Sequence, residues 1–503
     1  MPDAVVGLDI GTTSTKALAL EDDGRVCAVA QHEAAARRDD MGHSEQDPEL
    51  VYQAALRCLA EVAGAAKRRG LAIAGIATSA AMHSLLALDE QGAPLTGAVT
   101  WGDNRAIDQA RALKRDADPL AIYRRTGVPV HPMTPLVKLL WFRDRAPDIF
   151  ARAVRWISIK EYVLARLCGD YFVDYSTAAA SGLLSIESRD WDADLLGLLD
   201  VKESQFSKPV PPEYVGGTLA PEVAAAVGLD PSCRVIAGGS DGACANVGVG
   251  AIDPGVVACS IGTSGAVRTF AARPRLDPEG RLFCYPFDTD RYLIGGPINN
   301  GGVALQWVRD RFFPELVSAE ARGGGDAYQS LESLAESVQP GAEGLVFLPY
   351  LLGERAPHWN PEASGVLFGL RLEHERAHVV RATLEGVVYQ LHLVVRLLEQ
   401  LVGEVTEVRA TGGFARAPIW CQIMADVSRH EVHVPVSEHG SAIGAAVVGL
   451  KALGITTSLA VVDVEQGPRF VPTKETADVY GSGMALFERL YHRLEPEFGI
   501  GEG

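Results

Sequence analysis

The chain has 503 residues, of which 47% are hydrophobic and 22% charged, and its formal net charge is −18. This length predicts two domains, because single hydrophobic cores stop growing at about 250–300 residues. The acidic excess disfavours non-specific binding to nucleic acid or acidic lipid. We expect no membrane span, because no uninterrupted apolar run reaches about 18 residues.

The eight cysteines are scattered along the chain and form no CxxC pair and no cluster with zinc spacing. Scattered thiols in a large chain are typical of a reducing compartment. The N-terminus also lacks the basic and apolar pattern of a secretory signal. The sequence therefore predicts a cytoplasmic protein.

Two predicted hairpins with the same Ile-Gly-Thr tip lie about half the chain apart. The first spans residues 4–20 and the second spans 256–270, and each reads as strand, polar turn, strand. The repetition predicts an internal duplication of one domain plan. We place the two domains at 1–252 and 253–503, with the boundary at the segment GAIDPG, where Pro and Gly interrupt the pattern.

Strand-like and helix-like segments alternate between and after the hairpins. Residues 73–80 and 234–241 are short apolar runs that predict buried strands. Residues 48–70 and 377–403 have helical apolar spacing. Residues 407–434 read as strand, glycine turn, helix and strand. This alternation is typical of an α/β architecture.

The hairpin tips are the candidate phosphate sites, since the chain has no GxxxxGK[ST] motif. Glycine lets the backbone approach an anion, to which N–H groups and threonine hydroxyls can donate. An ordinary turn is the alternative. Asp9, just before the first tip, could hold Mg²⁺ through water. The candidate tip residues are Gly11, Thr12, Thr13, Gly262, Thr263 and Ser264.

Two further turns follow predicted strands. Asp241 comes after an apolar strand and two glycines, where an acid is well placed to meet a ligand in a cleft. The alternative is that Asp241 caps the next helix. The pair Gly412–Gly413 could let a flat adenine or ribose lie against the backbone, although double-glycine turns are common.

A third group of residues suits a polyol. Met82 and His83 follow one β-like segment, and Trp101, Asp103 and Arg105 follow another. The indole offers an apolar face and the other groups offer hydrogen bonds, while the guanidinium also suits a carboxylate. A structural role for each is the alternative.

Together these segments resemble the FGGY family of carbohydrate kinases, within the actin/Hsp70/hexokinase fold group. The resemblance runs from Gly7 to about Leu453. One family signature reads GVLFGLRLEHERAHVVRATLE at 365–385. The other reads MTPLVKLLWFRDR at 133–145 and departs only at Arg145, where a polar amide, an acid or His is usual. The resemblance implies a two-domain, duplicated, ribonuclease H-like α/β fold with an interdomain cleft.

The resemblance also implies roles for individual residues. Asp241 would be the general base and, with Asp9, a magnesium ligand, and Thr12 and Thr13 would face the transferred and β-phosphates. Ala417 departs from relatives that have an Asn contacting adenosine there, so adenine recognition would depend more on backbone and packing. The remaining residues are, for phosphate, Gly262 and Thr263; for the rest of the nucleotide, Gln306, Gly412 and Gly413; and for the sugar, Met82, His83, Trp101, Asp103, Arg105 and Met133.

The stretches SAAMHSLLAL, TWGDNRA and GPINNGGVALQW most resemble family members that phosphorylate gluconate. This implies transfer of the ATP γ-phosphoryl group to the terminal hydroxyl of D-gluconate, with Mg²⁺ as cofactor. Arg105, His131 and Lys160 are the candidates for binding the substrate carboxylate. The alternatives are a kinase of xylulose or another pentulose or polyol, and a non-catalytic ATP-binding sensor. The expected partner is a small-molecule sugar or sugar acid, with no nucleic acid and no membrane, and a homodimer is left open.

Overall fold

The computed structural model describes residues 3–39, 41–436, 439–460 and 466–499. The strands are β1 Asp3–Ile10, β2 Ser14–Glu21, β3 Val26–Glu33, β4 Arg37–Arg38, β5 Ser44–Gln46, β6 Ala72–Ala80, β7 Leu86–Leu88, β8 Ala98–Val99, β9 Arg155–Ile157, β10 Phe172–Asp174, β11 Lys208–Val210, β12 Val215–Thr218, β13 Arg234–Ser240, β14 Val256–Ile261, β15 Gly265–Ala271, β16 Phe283–Pro286, β17 Tyr292–Ile298, β18 Val346–Leu348, β19 Val366–Phe368, β20 Glu407–Gly412, β21 Glu431–Pro435 and β22 Gln466–Phe470.

The α-helices are α1 Pro48–Arg68, α2 Ile107–Asp116, α3 Pro119–Thr126, α4 Pro135–Arg145, α5 Pro147–Arg152, α6 Ile159–Cys168, α7 Tyr175–Ala180, α8 Ala193–Leu199, α9 Pro221–Val227, α10 Asp241–Gly248, α11 Gly302–Phe312, α12 Pro314–Ala321, α13 Ala327–Glu336, α14 Arg376–Val402, α15 Pro418–Ser428, α16 Gly440–Ala452 and α17 Ala477–Leu494. Short 3₁₀ turns lie at Glu203–Gln205, Ala342–Gly344, Gly413–Arg416, Lys474–Thr476 and Glu495–Glu497.

The chain folds into two compact units. Unit 1 consists of Met1–Ile252, Phe270–Ile294 and His439–Val464. Unit 2 consists of Asp253–Thr269, Gly295–Glu438 and Glu465–Gly503. Two segments from the second half of the sequence thus belong to unit 1. The division into two continuous domains at 1–252 and 253–503 stays a prediction.

Unit 1 contains a six-stranded sheet with the order β12-β13-β6-β1-β2-β3. Strand β1 pairs antiparallel with β2 and parallel with β6, and β6 pairs parallel with β13. Strands β2, β6 and β13 are rich in Val, Ile, Leu and Ala and mostly buried, as expected when helices cover both faces of a parallel core, whereas the edge strand β3 is mostly exposed or partly buried. The carboxyl ends of β1, β6 and β13 therefore lie side by side at one edge.

Unit 2 repeats this pairing plan. Its neighbouring strands β15-β14-β20-β21 include an antiparallel hairpin, β14 with β15, and two parallel pairs, β14 with β20 and β20 with β21. The hairpin and the next two strands match β2-β1-β6-β13 in direction and order. The predicted α/β fold and the duplicated strand plan are both confirmed at this level.

Helix α16 explains why a late segment belongs to unit 1. Its sequence, GSAIGAAVVGLKA, has small residues that allow close packing on β1 and on α10. At Gly7 of β1 a Cβ atom would lie 1.8 Å from the carbonyl oxygen of Ala442. The two backbones can approach this closely only because no side chain stands between them.

Candidate functional site

The first hairpin tip lies at the carboxyl end of β1. The N–H of Gly11 donates to the carbonyl of Ser14 at 3.0 Å, which closes the turn. The carbonyls of Thr12 and Thr13 accept from the backbone N–H groups of residues 36 and 34, and Gln46 donates to the Gly11 carbonyl at 3.0 Å. Backbone hydrogen bonds and the side-chain amide of Gln46 therefore fix the conformation of the turn.

Asp9 is the penultimate residue of the same strand and is partly buried. The hydroxyl of Ser79, its partner across the β1–β6 pair, donates to Asp9 Oδ1 at 2.9 Å. Burial raises the pKa of Asp9, and this is opposed by the Ser79 hydrogen bond and by the charges of Lys16, His439 and Lys160. A carboxylate that burial disfavours gains from a nearby cation, so this residue fits a magnesium ligand.

Asp241 is the first residue of α10. The helix is capped by Ser240, whose side chain accepts from the N–H of Ala243, so the alternative in which Asp241 is the cap is wrong. The strand register aligns Asp9 with Ser79 and Ser79 with Gly239. Asp9 and Gly239, which precedes Asp241 by two residues, therefore lie on strands two positions apart in the sheet, a spacing of about 10 Å.

A buried ion pair holds the segment that precedes Asp241. Lys160 Nζ lies 2.6 Å from Asp174 Oδ2 and donates to the Gly239 carbonyl at 2.8 Å. Asp174 also accepts from the Ser176 hydroxyl at 2.5 Å, and that hydroxyl accepts from the N–H of Ser240 at 2.8 Å. This network connects α6, β10 and α7 to the end of β13.

Asp103 and Arg105 form internal ion pairs. The guanidinium contacts both oxygens of Asp103 at 2.8 Å and Glu45 at 2.7 Å, and it lies over the Trp141 ring. Asp103 also accepts from the N–H of Ser44 at 2.6 Å. These contacts attach the loop after β8 to the β4–β5 hairpin, and the predicted sugar contacts of both residues stay predictions.

The other predicted sugar residues lie on turns of unit 1. His83 is 6% exposed, has a left-handed backbone with φ of 67°, and contacts the Ala180 carbonyl through Nδ1 at 2.7 Å. Met82 and Trp101 are partly buried. Met133 is buried, and its N–H donates to His131 Nδ1 at 3.2 Å.

The second hairpin tip lies in unit 2 against the start of α11. The N–H of Gly262 donates to the Ser264 carbonyl at 2.8 Å, as Gly11 does to Ser14 in the first tip. The carbonyls of Gly262 and Thr263 accept from the N–H groups of Gly302 and Val303 at 2.7 and 3.0 Å. The tip is thus fixed relative to the helix that carries Gln306.

A cavity of about 460 Å³ in unit 2 is lined by four of the eight residues that the sequence predicts for ATP: Gly262, Thr263, Gln306 and Gly413. They come from three separate parts of the chain, so the structure brings together a set that only the resemblance connects in the sequence. A volume of this size is in the range of small-molecule sites, about 300–1,000 Å³. Ala417, where some relatives have an Asn, also lines the cavity.

Gly412 adjoins this cavity and shapes its wall. Its φ is 87°, a left-handed conformation, and a Cβ atom there would lie 2.4 Å from the carbonyl oxygen of Ile261. The parallel register pairs these two residues across β14 and β20. Glycine is therefore required where the two strands deliver the hairpin tip and the Gly413 turn to the same place.

Helix α13 contributes to the lining, although the sequence did not single it out. Tyr328, Gln329 and Glu332 of this helix line the cavity together with Phe414 and Trp420. Their i, i+1, i+4 spacing is readable in the sequence, but it is equally typical of a solvated helix face. Burial raises the pKa of Glu332, with the charges of Asp326 and Glu336 adding to the effect.

Comparison with known proteins identifies the family. The model of the N-terminal domain of the FGGY family of carbohydrate kinases matches residues 4–248, and that of the C-terminal domain matches residues 257–453. The chain belongs to the FGGY family of carbohydrate kinases. A gluconokinase of Bacillus licheniformis is 41% identical over 99% of this chain and 97% of that protein. A xylulose kinase of Bacillus subtilis is 30% identical over 97% of this chain and 96% of that protein.

Solved structures of FGGY kinases share the fold. A gluconate kinase and a ligand-bound xylulose kinase, both from Lactobacillus acidophilus, each match with a TM-score of 0.93 and 31% identity over 99% of both chains. The predicted two-domain fold and the prediction of an ATP-dependent sugar kinase are thereby confirmed. No helix in the described ranges is long and apolar enough to cross a membrane.

Proposed function

We propose that this FGGY kinase transfers the γ-phosphoryl group of ATP to the terminal hydroxyl of D-gluconate, giving 6-phosphogluconate. The observation that carries the substrate assignment is the difference in sequence identity. The chain is 41% identical to a gluconokinase and 30% identical to a xylulose kinase, with nearly complete coverage in both comparisons. Similarity of fold does not discriminate, because a gluconate kinase and a xylulose kinase match equally well.

In this proposal Asp241 is the general base that takes the proton from the attacking hydroxyl. Phosphoryl transfer depends mainly on alignment and charge neutralisation, so the base needs a fixed position more than a strongly shifted pKa. The Lys160–Asp174 network and the Ser240 cap supply that fixed position. Thr12 and Thr13 contact the transferred and β-phosphates.

The cavity in unit 2 binds the nucleotide. Gly262 and Thr263 would line its phosphate end, Gln306 and Gly413 would lie along the rest of the nucleotide with Gly412 beside them, and α13 forms part of the wall. Since Ala417 offers no polar side chain, the adenine packs between that wall and the glycine turn.

Mg²⁺ is part of the proposal, with Asp9 and Asp241 as its protein ligands. Among the described residues no group of three His, Cys, Asp or Glu side chains forms a ready-made metal site. Magnesium is typically bound by one or two carboxylates with waters and substrate phosphates, which is the role proposed for Asp9 and Asp241. A bound magnesium ion would neutralise the phosphate charge in a protein that carries −18 overall.

The sugar binds along Met82, His83, Trp101 and Met133, and its carboxylate needs a hydrogen-bond donor. Of the three candidates, Lys160 is paired with Asp174, and Arg105 with Asp103 and Glu45. In His131, Nδ1 accepts from the N–H of Met133, so the proton of a neutral ring is on Nε2. All three residues stay candidates for the carboxylate contact. The ion pairs of Asp103 and Arg105 also fix the loop that carries Trp101.

An ATP-consumption assay tests the substrate. We expect kcat/KM for gluconate to exceed that for xylulose, ribulose, glycerol and erythritol by about 100-fold or more, as a site that pairs a polar substrate group can achieve. Phosphorus and carbon NMR of the product should place the phosphate on the terminal oxygen. A higher kcat/KM for xylulose would overturn the assignment in favour of a pentulose kinase. No turnover with any of the five would favour the ATP sensor.

A cytoplasmic location and a homodimer complete the proposal. All eight cysteines are free thiols, six of them buried, as expected for a protein folded in a reducing compartment. Light scattering with size-exclusion chromatography measures the assembly directly.

A further inference from the structure

Lys138 is a fully buried lysine on α4, and all of its polar contacts in the described structure are to backbone carbonyls. Its Nζ donates to the carbonyls of His83 at 2.6 Å, Thr100 at 2.7 Å and Val99 at 3.2 Å. Its side chain is 0% exposed. An ammonium group has three donors, so these three carbonyls use its whole hydrogen-bonding capacity.

The three carbonyls belong to the two segments to which we assign sugar binding. His83 lies in the turn between β6 and β7, directly after Met82, and Thr100 directly precedes Trp101. Helix α4 itself begins two residues after Met133. A single nitrogen atom thus connects all three parts of the chain that carry the proposed sugar contacts.

The turn at His83 needs such an anchor. A non-glycine residue with φ of 67° is in a sparsely populated conformation, which persists only when its surroundings hold it. The ring is held by the Ala180 carbonyl and the backbone carbonyl by Lys138. The segment at Thr100 is held from its other side, where its N–H donates to the Ser44 carbonyl at 2.9 Å.

We propose that Lys138 is a positioning residue that fixes the spacing of the sugar-binding surface, by holding the His83 turn and the Thr100 segment together through their carbonyl oxygens. The assignment of those segments to the sugar rests on the function proposed above. Lys138 touches neither substrate in this arrangement. It acts through the backbone positions of Met82, His83 and Trp101.

The protonation of Lys138 makes the proposal measurable. A neutral amine has two N–H donors and would turn a lone pair towards one of the three carbonyls. Burial lowers the pKa of Lys138 to about 7; the charge of Asp103 opposes the shift and that of Arg105 adds to it. The ammonium form is therefore lost as the pH rises through about 7, and the hold on the two segments weakens above that pH.

The variant Lys138→Met keeps the length of the side chain and removes its donors. Because small displacements of a binding surface can cost up to about 100-fold, we expect KM for the sugar to rise about 10- to 100-fold. KM for ATP should stay within about 2-fold, because the nucleotide cavity lies in unit 2. The matched control is Phe142→Leu on the same helix, which loosens packing against Trp156 and should lower the melting temperature without changing KM for the sugar.

The pH profile of the wild-type enzyme provides the second measurement and does not depend on the variant folding. KM for the sugar should rise between about pH 6 and pH 8.5 while KM for ATP does not, and the rise should be absent in Lys138→Met. An unchanged sugar KM in Lys138→Met, or a wild-type sugar KM without that rise, would overturn the inference. Absence of turnover with every sugar tested would instead refute the proposed function.

Discussion

Replacing Lys160 by Met removes the cation from a buried ion pair and leaves its partner in place. Lys160 and Asp174 have side chains that are 0% and 1% exposed, and their charged atoms lie 2.6 Å apart. Methionine has nearly the same length and fills the same space. The carboxylate of Asp174 then keeps the Ser176 hydroxyl and the Thr177 N–H as donors but no positive charge.

The expected cost follows from that burial. Breaking a buried pair by removing one partner destabilises a protein by about 3–5 kcal/mol, because the remaining charge is uncompensated. This is a large part of the 5–15 kcal/mol by which typical domains are stable, so the roughly 3–5 kcal/mol loss should be easy to measure. Replacing both residues, Lys160→Met with Asp174→Leu, should recover most of the loss, except for about 1 kcal/mol from the Asp174 cap of α7.

Urea denaturation of the wild type, the single variant and the double variant measures these free energies. Lys67→Met on the exposed surface of α1 is the matched control and should change the unfolding free energy by less than about 0.5 kcal/mol. A loss below about 1 kcal/mol in Lys160→Met would refute the argument from burial. An unchanged unfolding free energy together with a raised KM for gluconate would show instead that Lys160 binds the substrate carboxylate.

Two further predictions concern the proposed active residues. Asp241→Asn should lower kcat by about 10²- to 10⁴-fold, with KM for ATP nearly unchanged, and steady-state kinetics that show near-wild-type turnover in the folded variant would rule out Asp241 as the base. Gly412→Ala should weaken ATP binding in calorimetry, because its Cβ would meet the Ile261 carbonyl at 2.4 Å. The control for backbone strain alone is Gly228→Ala, which has a φ of 71° and no atom within 4 Å of the added Cβ. Equal ATP affinity in the two variants would contradict the steric argument.

The strand plan could be predicted because its signals are local. The hairpins at 4–20 and 256–270 combine apolar alternation with a polar turn, and the structure contains both. The helices predicted at 48–70 and 377–403 also form, as Pro48–Arg68 and Arg376–Val402. Patterns of this kind need no knowledge of what an element packs against.

The division of the chain into units depended on distant contacts. The segments Phe270–Ile294 and His439–Val464 belong to unit 1, although both follow the predicted boundary. Composition marks a boundary only where Pro and Gly interrupt a pattern. It does not reveal that the small residues of α16 pack on β1, because that packing is decided by the opposite surface, at Gly7 and its neighbours.

In the candidate site, residue type alone likewise did not predict what a single side chain contacts. Residue type suggested that Asp103, Arg105 and Lys160 meet a ligand, but each is engaged by another charged group within unit 1. A carboxylate or a guanidinium looks identical in sequence whether it faces a ligand or a neighbour. Glycines were more informative, because Gly262 and Gly413 mark two turns that both line the cavity in unit 2.

Glu354 connects the pH dependence of stability to the loop beside the second hairpin tip. Its side chain is 0% exposed and accepts from the N–H groups of Asn299 and Arg355 and from the side chain of Asn300. This loop precedes Gly302, whose N–H donates to the Gly262 carbonyl at the tip. Burial raises the pKa of Glu354 from 4.5 to about 7, so the protonated form is favoured in the folded protein.

The sign of the effect follows from that shift. The contribution of Glu354 to stability is fully present below about pH 4.5 and is lost as the pH rises through about 7, where folding must hold a buried charge. A shift of this size corresponds to roughly 3 kcal/mol, so the unfolding free energy of the wild type should fall between pH 5 and pH 8 relative to that of Glu354→Gln. Urea denaturation at both pH values measures the difference. Parallel pH profiles for the two proteins would mean that Glu354 stays ionised throughout, with its three donors outweighing its burial.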